Sequence, residues 1–164
     1  MNREEEKLIQ RDRMRFTKNS LSSTLVYVAI LFDVFFFVSI YKSDVGSWYY
    51  NILVGASILY NLIFMLASFL ASEGIKNYKF SFSIVLLVLG AIQICRIFIY
   101  PMMAHGATVD LQGEAVTVMG DGQFLRCVIY LVCSAACLIA SAVIGAIRSR
   151  TLAAHMATIE QKAA

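Results

Sequence analysis

The sequence has few charged residues and almost no proline. Only 15% of its 164 residues are charged, whereas a soluble domain has about 25%. Apolar residues make up 59%, against about 45–50% in a soluble domain. The single proline, Pro101, leaves long stretches in which nothing interrupts a helix. This composition argues against an ordinary soluble domain and predicts an all-α membrane protein.

Motifs that carry catalytic chemistry are absent from the sequence. It contains no His-Glu-x-x-His, no Gly-x-Ser-x-Gly and no glycine-rich phosphate loop. No basic face interleaved with stacking aromatic residues lies outside the apolar blocks, which argues against nucleic acid as a partner. We therefore expect a protein that is not an enzyme and that uses no cofactor.

The residues that most often bind metals are poorly placed for a shared site. His105 and His155 are expected on opposite sides of a membrane and so cannot hold one ion. Asp110, Glu114 and Asp121 share a loop with His105. Because loops between elements run over the surface, we expect a solvated acidic segment there and no metal site.

Four cysteines occur without a Cys-x-x-Cys motif, namely Cys95, Cys127, Cys133 and Cys137. All four lie in apolar blocks, and buried cysteine ordinarily acts as a small packing residue. A redox pair of Cys95 with Cys127 is the alternative, and it requires both to lie near the outer surface.

Four long apolar blocks organise the chain. At about 1.5 Å per residue, a helix of about 20 residues crosses a hydrocarbon core of about 30 Å. The blocks predict spans at about 21–41, 48–70, 80–100 and 124–147, within one domain of residues 21–147. They leave a charged segment at 1–20, a loop at 101–123 and a tail at 148–164. The predicted fold is a four-transmembrane-helix bundle, with a small cap from the long loop and cytoplasmic helical tails.

The long loop has its own pattern. Residues Ala107–Met119 alternate loosely about Gln112 and Gly113, which predicts a small hairpin.

Basic residues are distributed unevenly between the two predicted sides. Residues 1–20 contain six Lys or Arg, the connection at 71–79 two and the tail three, whereas the 101–123 loop contains none. Because basic residues favour the cytoplasmic side, both termini are expected inside and the long loop outside the cell membrane. No small-residue cleavage site follows the first block, so we expect that block to be a retained signal anchor.

The predicted spans contain several polar side chains. They are Asp33, Asn51, Asn61, Gln93, Arg96 and Arg126. A carboxylate within a span costs about 2.5–3.5 kcal/mol on insertion scales, so it is expected to find a partner. The helical rise puts Asp33 about 12 Å and Arg96 about 6 Å below the outer ends of their spans. Arg96 is therefore the expected partner of Asp33, with Arg126 second.

The role of Asp33 has three interpretations. It forms an internal ion pair that fixes helix order, it contacts polar groups of another membrane subunit, or it binds a proton or substrate. A countercharge in the same chain favours the first interpretation.

The fourth span also has a small-residue stripe. Ser134, Cys137, Ser141 and Gly145 follow one another at spacings of three, four and four, which places them on one helix face. Small residues let helices approach closely, so this face is expected to pack against other helices.

Two short stretches resemble segments of a known group of proteins. Leu-Phe-Asp-Val-Phe-Phe-Phe (31–37) and Ser-Glu-Gly-Ile-Lys-Asn-Tyr (72–78) are similar to segments of small bacterial four-span proteins associated with ABC-type importers. The resemblance implies an auxiliary subunit beside a permease and assigns no functional residues. Small multidrug exporters also have four spans and a carboxylate in the first, but this chain differs in having Asp, long tails and a structured loop.

The sequence thus predicts a non-catalytic auxiliary or scaffold subunit of a larger membrane complex, foremost an ABC-type transporter. Its expected partners are the lipid bilayer and other membrane subunits, and a homo-oligomer stays open. The alternative is a small ion-coupled transporter that works as a homodimer through Asp33.

Overall fold

The computed structural model describes residues 3–41, 48–111 and 114–163, which are mostly helical. The elements in chain order are α1 (Arg3–Arg13), α2 (Ser20–Tyr41), α3 (Trp48–Lys76), α4 (Phe80–Ile99), α5 (Pro101–Ala104), β1 (Thr108–Leu111), β2 (Glu114–Thr117) and α6 (Asp121–Ala163). Helices α2, α3, α4 and α6 are long and apolar enough to cross a membrane. The prediction of four such helices is confirmed.

The end of α3 differs from the prediction. The helix continues to Lys76, so the connection predicted at residues 71–79 is reduced to Asn77–Lys79. Two hydrogen bonds close the helix: the amide of Lys79 donates to the Gly74 carbonyl at 3.3 Å, and that of Tyr78 to the Ile75 carbonyl at 3.1 Å. Tyr78 adopts a φ of 56°, the left-handed conformation that commonly ends a helix.

The fourth long helix extends beyond its predicted span at both ends. Helix α6 continues without a break from Asp121 to Ala163 and includes most of the predicted tail. Helix α1 packs against the distal part of α6, where His155 Nε2 lies 3.7 Å from Asp12 Oδ1. Residues 1–20 therefore include a helix that packs on the rest of the chain.

The long helices pack unequally against one another. Helices α2 and α4 both pack extensively along α6, whereas α3 packs mainly against α2 and α4. As a result, one face of α3 is left uncovered by the described residues.

The two ends of the helix assembly have different connections. At one end, called the terminal end, Arg148 Nη1 donates to Asn19 Oδ1 at 2.8 Å and the Asn19 amide to the Lys76 carbonyl at 2.9 Å. At the other, called the hairpin end, β1 and β2 pair antiparallel, with Thr108 opposite Thr117. The predicted turn at Gln112 and Gly113 lies outside the described residues.

Two apolar layers fill the space between the helices. The layer near the hairpin end is built on Phe36, Ile40, Tyr100, Ala104, Val118, Met119, Cys127 and Leu131. The layer near the terminal end is built on Val26, Ala29, Phe64, Ala71, Ile75, Leu86, Leu138 and Ala142. Along α2, α4 and α6, buried polar residues lie in the interval between the two layers.

Candidate functional site

A buried ion pair joins α2 to α4. Arg96 Nη1 donates a hydrogen bond to Asp33 Oδ1 at 3.0 Å. Asp33 has no exposed surface, and the Arg96 side chain is 6% exposed. Charges buried this deeply are stable only when they are paired and hydrogen-bonded, and each of these residues meets that requirement through the other.

Two amides and a hydroxyl extend the pair to all four long helices. Gln93 Nε2 donates to Asp33 Oδ1 at 2.9 Å and to Ser134 Oγ at 3.1 Å, while Gln93 Oε1 accepts from Arg96 Nη1 at 2.9 Å. Asn61 Oδ1 accepts from Arg96 Nη2 at 2.7 Å. We call Asp33, Asn61, Gln93, Arg96 and Ser134 the polar cluster. Each long helix contributes at least one member, so the cluster fixes their order and register.

Aromatic rings surround the guanidinium of Arg96. Its Cζ atom lies 4.6 Å from the ring centroids of both Phe36 and Tyr60, and 6.0 Å from that of Phe64. A cation at these distances from a ring centroid is attracted by the ring quadrupole, more strongly when water is excluded. The rings therefore stabilise the charged form of Arg96 beyond the ion pair itself.

Asp33 uses its two carboxylate oxygens unequally. Oδ1 accepts both side-chain hydrogen bonds, whereas Oδ2 is buried and has no hydrogen-bond partner among the described residues. Such an atom is a place where a water molecule, a proton or an ion can be accommodated. The cluster thus combines a neutral charge pair with one unsatisfied acceptor.

A cavity of about 340 Å³ adjoins the cluster between α3 and α4. Its wall includes Arg96 and is otherwise made of uncharged side chains among the described residues: Phe36, Leu53, Ala56, Ser57, Tyr60, Ile92, Cys95, Ile99 and Tyr100. The volume falls in the range of about 300–1,000 Å³ that is typical of small-molecule sites.

Two of the polar residues in the predicted spans, Arg126 and Asn51, lie outside the polar cluster. Arg126 is exposed, and its Nε donates to the Gly122 carbonyl on its own helix at 3.1 Å. Arg126 is two turns from Ser134, about 12 Å along the axis at the helical rise, so its side chain ends outside the cluster. Asn51 is likewise exposed, ten residues or about 15 Å from Asn61 along α3. Arg126, the second candidate partner of Asp33, and Asn51 are therefore not members of the polar cluster.

The small-residue stripe of α6 faces the other long helices. Ser134 Oγ donates to the Ala29 carbonyl at 3.1 Å, and Ser141 Oγ donates to the Ser22 carbonyl at 2.8 Å. A side chain at Gly145 would collide with Ile75 of α3. Cys137 packs against the apolar layer near the terminal end. The stripe is thus occupied by contacts within the chain.

The uncovered face of α3 carries a second group of notable residues. Asn51, Gly55, Leu59 and Ile63 recur every four residues and lie on one side of the helix. Asn51 and Gly55 are exposed, and Leu59 and Ile63 are 61% and 59% exposed. No described atom lies within 4 Å of the point where a Gly55 side chain would begin. We call these four residues the α3 face.

Histidines and cysteines occupy separate environments. Near the hairpin end, His105 Nε2 lies 2.9 Å from Asp121 Oδ1 and the His105 ring stacks on Phe124. His155 lies beside α1. All four cysteines are free, with Cys95 exposed and Cys127 buried. Among the described residues, no group of three or more His, Cys, Asp or Glu side chains is arranged to hold a metal ion.

Compared with models of protein families, with curated protein sequences and with solved structures, the chain matches none.

Proposed function

We propose that the chain is an integral membrane protein that serves as a non-catalytic auxiliary subunit of a larger membrane complex, foremost an ABC-type transporter. In this proposal α2, α3, α4 and α6 form a transmembrane four-helix bundle in the cell membrane. The terminal end faces the cytoplasm and the hairpin end faces outward. The excess of Lys and Arg near the terminal end supports this orientation.

The observation that carries the proposal is the α3 face. Packing within the chain covers α3 less than it covers α2, α4 and α6, and this side of α3 stays exposed. A glycine allows another helix to approach closely, and an intramembrane asparagine can form a hydrogen bond across a helix interface. Asn51 and Gly55 are one turn apart, which is the arrangement that a helix of a second subunit would use.

The polar cluster supports a structural role for Asp33 in this subunit. Its countercharge, Arg96, comes from the same chain, and Asn61, Gln93 and Ser134 extend the hydrogen bonds around the pair. Such a cluster holds the helices in one arrangement without needing a partner. The α3 face is then available for association with another subunit.

The proposal is tested by isolating the tagged chain from native membranes in mild detergent and identifying co-purifying proteins by mass spectrometry. We expect a stoichiometric integral membrane subunit to co-purify with the unmodified chain. It should not co-purify with Gly55→Leu, because the bulky side chain blocks the close approach of another helix. Val88→Leu, on the exposed side of α4, is the matched control and should retain the subunit. A chain that is isolated alone or as a homodimer would overturn the proposal.

One observation favours a second candidate, an ion-coupled transporter that acts through Asp33. The unpartnered Oδ2 atom is a buried acceptor to which a proton or cation could bind. On this account Asp33→Asn abolishes substrate transport but leaves the amount of folded protein unchanged. Loss of folded protein in Asp33→Asn would instead favour the structural role.

A further inference from the structure

The cavity between α3 and α4 has one charged group in its described wall, and that group still has donors to offer. Arg96 has five N–H groups, of which three donate to Asp33, Gln93 and Asn61. The N–H of Nε and one N–H of Nη2 have no acceptor among the described residues. A guanidinium that is 6% exposed pays a desolvation cost for each unpaired donor, which favours an acceptor in the cavity.

The charge balance restricts what that acceptor can be. Asp33 already neutralises Arg96, so an anionic ligand would bring a second negative charge with no cation to match it. A neutral oxygen acceptor avoids this cost. A carbonyl oxygen has two lone pairs and suits two adjacent N–H donors.

The rest of the cavity wall selects for an apolar body. Leu53 and Ile92 present aliphatic side chains from α3 and α4, and Phe36 and Tyr60 present rings. Exposed Cys95 and Ile99 also line the cavity, so a ligand can reach it from outside the protein.

We propose that this cavity binds a neutral lipophilic molecule through a carbonyl oxygen, which accepts hydrogen bonds from Arg96 while its apolar body packs between α3 and α4. Two sources provide this chemistry in a membrane: the ester carbonyl of an acyl lipid and the ring carbonyl of a quinone. The proposal rests on the membrane location proposed above but not on the role as a subunit.

The free thiol of Cys95 allows a direct test. The full chain carrying Cys127→Ala, Cys133→Ala and Cys137→Ala is purified in detergent, and the rate at which N-ethylmaleimide alkylates Cys95 is measured. The rate is compared in the presence of three probes: a benzoquinone that carries a decyl chain and has every other ring position substituted, so that it does not add to thiols; dioctanoylglycerol; and decylbenzene, which lacks a carbonyl. We expect saturable protection by at least one carbonyl probe, at a concentration about tenfold lower than decylbenzene requires, as expected for one hydrogen bond from a charged donor.

A matched control uses a thiol beside the cavity. The control chain carries Ile94→Cys and Cys95→Ser together with the same three alanines. Its thiol lies on the adjacent exposed side of α4, where no probe should protect it. Arg96→Lys retains the charge for Asp33 but loses the planar donor set, so the preference for carbonyl probes should disappear. Should Arg96→Lys fail to fold, Ser57→Phe fills the cavity from α3 and should abolish saturable binding of the carbonyl probes.

The outcomes separate this proposal from the proposed function. Equal protection by carbonyl probes and decylbenzene, or none by any probe, would overturn it whether or not a partner subunit is found. If a carbonyl probe binds, native mass spectrometry of the chain isolated from membranes shows an added mass matching either an acyl lipid or a quinone. Failure to find a partner subunit would overturn the proposed role without altering the thiol measurement.

Discussion

Asn61 Oδ1 accepts a hydrogen bond from Arg96 Nη2 at 2.7 Å, and Asn61 Nδ2 donates one to the backbone carbonyl of Asp33 at 3.5 Å. One side chain of α3 therefore contacts both partners of the ion pair between α2 and α4. Gln93 and Ser134 connect the same pair to α6. The four long helices cannot slide past one another without breaking these bonds.

Removing one charge of the pair should destabilise the fold severely. Asp33→Asn leaves Arg96 as a buried cation without a countercharge, a change that costs about 3–5 kcal/mol in buried pairs. We expect a lower temperature of unfolding in detergent and a smaller yield. The double variant Asp33→Asn, Arg96→Gln removes both charges and should recover part of the loss. A single variant as stable as the unmodified chain would contradict a structural pair.

Ser134 should contribute less than the ion pair to the stability of the fold, but by a measurable amount. Ser134→Ala removes the acceptor of one Gln93 hydrogen bond and the donor to the Ala29 carbonyl. Hydrogen bonds between membrane helices average about 0.6 kcal/mol and reach at most about 1.7 kcal/mol each, so we expect a loss of that order. Ser81→Ala, at an exposed position of α4, is the control and should leave the unfolding temperature unchanged.

Substitution by alanine should change the stability of the chain at one glycine and not at another. Gly145→Ala places a methyl group against Ile75, and overpacking of this kind costs about 1–3 kcal/mol. Gly55→Ala meets open space and should leave the isolated chain as stable as before. Thermal unfolding of the two variants in the same detergent checks this difference. A stable Gly145→Ala chain would show that α6 and α3 are not in close contact there.

The proposed orientation predicts which engineered thiols are reachable from outside intact cells. In a chain with its four native cysteines replaced by alanine, Ala115→Cys on β2 should react with a membrane-impermeant maleimide. Ala157→Cys on the distal part of α6 should react only after the membrane is permeabilised. Both positions are exposed in the fold, so burial does not explain a difference. Labelling of Ala157→Cys in intact cells would reverse the proposed orientation.

The sequence anticipates features that depend on distance along a helix. The rise per residue was enough to place Asp33 and Arg96 within reach of each other, because both lie in the outer half of their predicted spans. The four long apolar helices were predictable as well, because the rise per residue sets how long an apolar block must be to cross a membrane. The C-terminal end of α3 was not predicted. Residues 71–76 contain no proline that would end the helix, and the helix is closed by Tyr78, which adopts the left-handed conformation although it is not a glycine.

Rotation about a helix axis was harder to predict from one sequence. Arg126 and Asn51 have suitable chemistry, but each side chain is exposed. Ser134 was recognised as a small packing residue, yet its hydroxyl also accepts from Gln93. A serine in an apolar helix gives the same signal for either role, so only the contacts distinguish them.

The central claim is that the α3 face docks on another membrane protein, and site-specific photocrosslinking tests it most directly. A photoreactive amino acid is placed at Gly55 and, as a control, at exposed Val88 of α4, and native membranes are irradiated. The account predicts that position 55, and not position 88, gives one discrete product containing this chain and a second integral membrane protein. Only lipid adducts at position 55, or the same products at both positions, would contradict it.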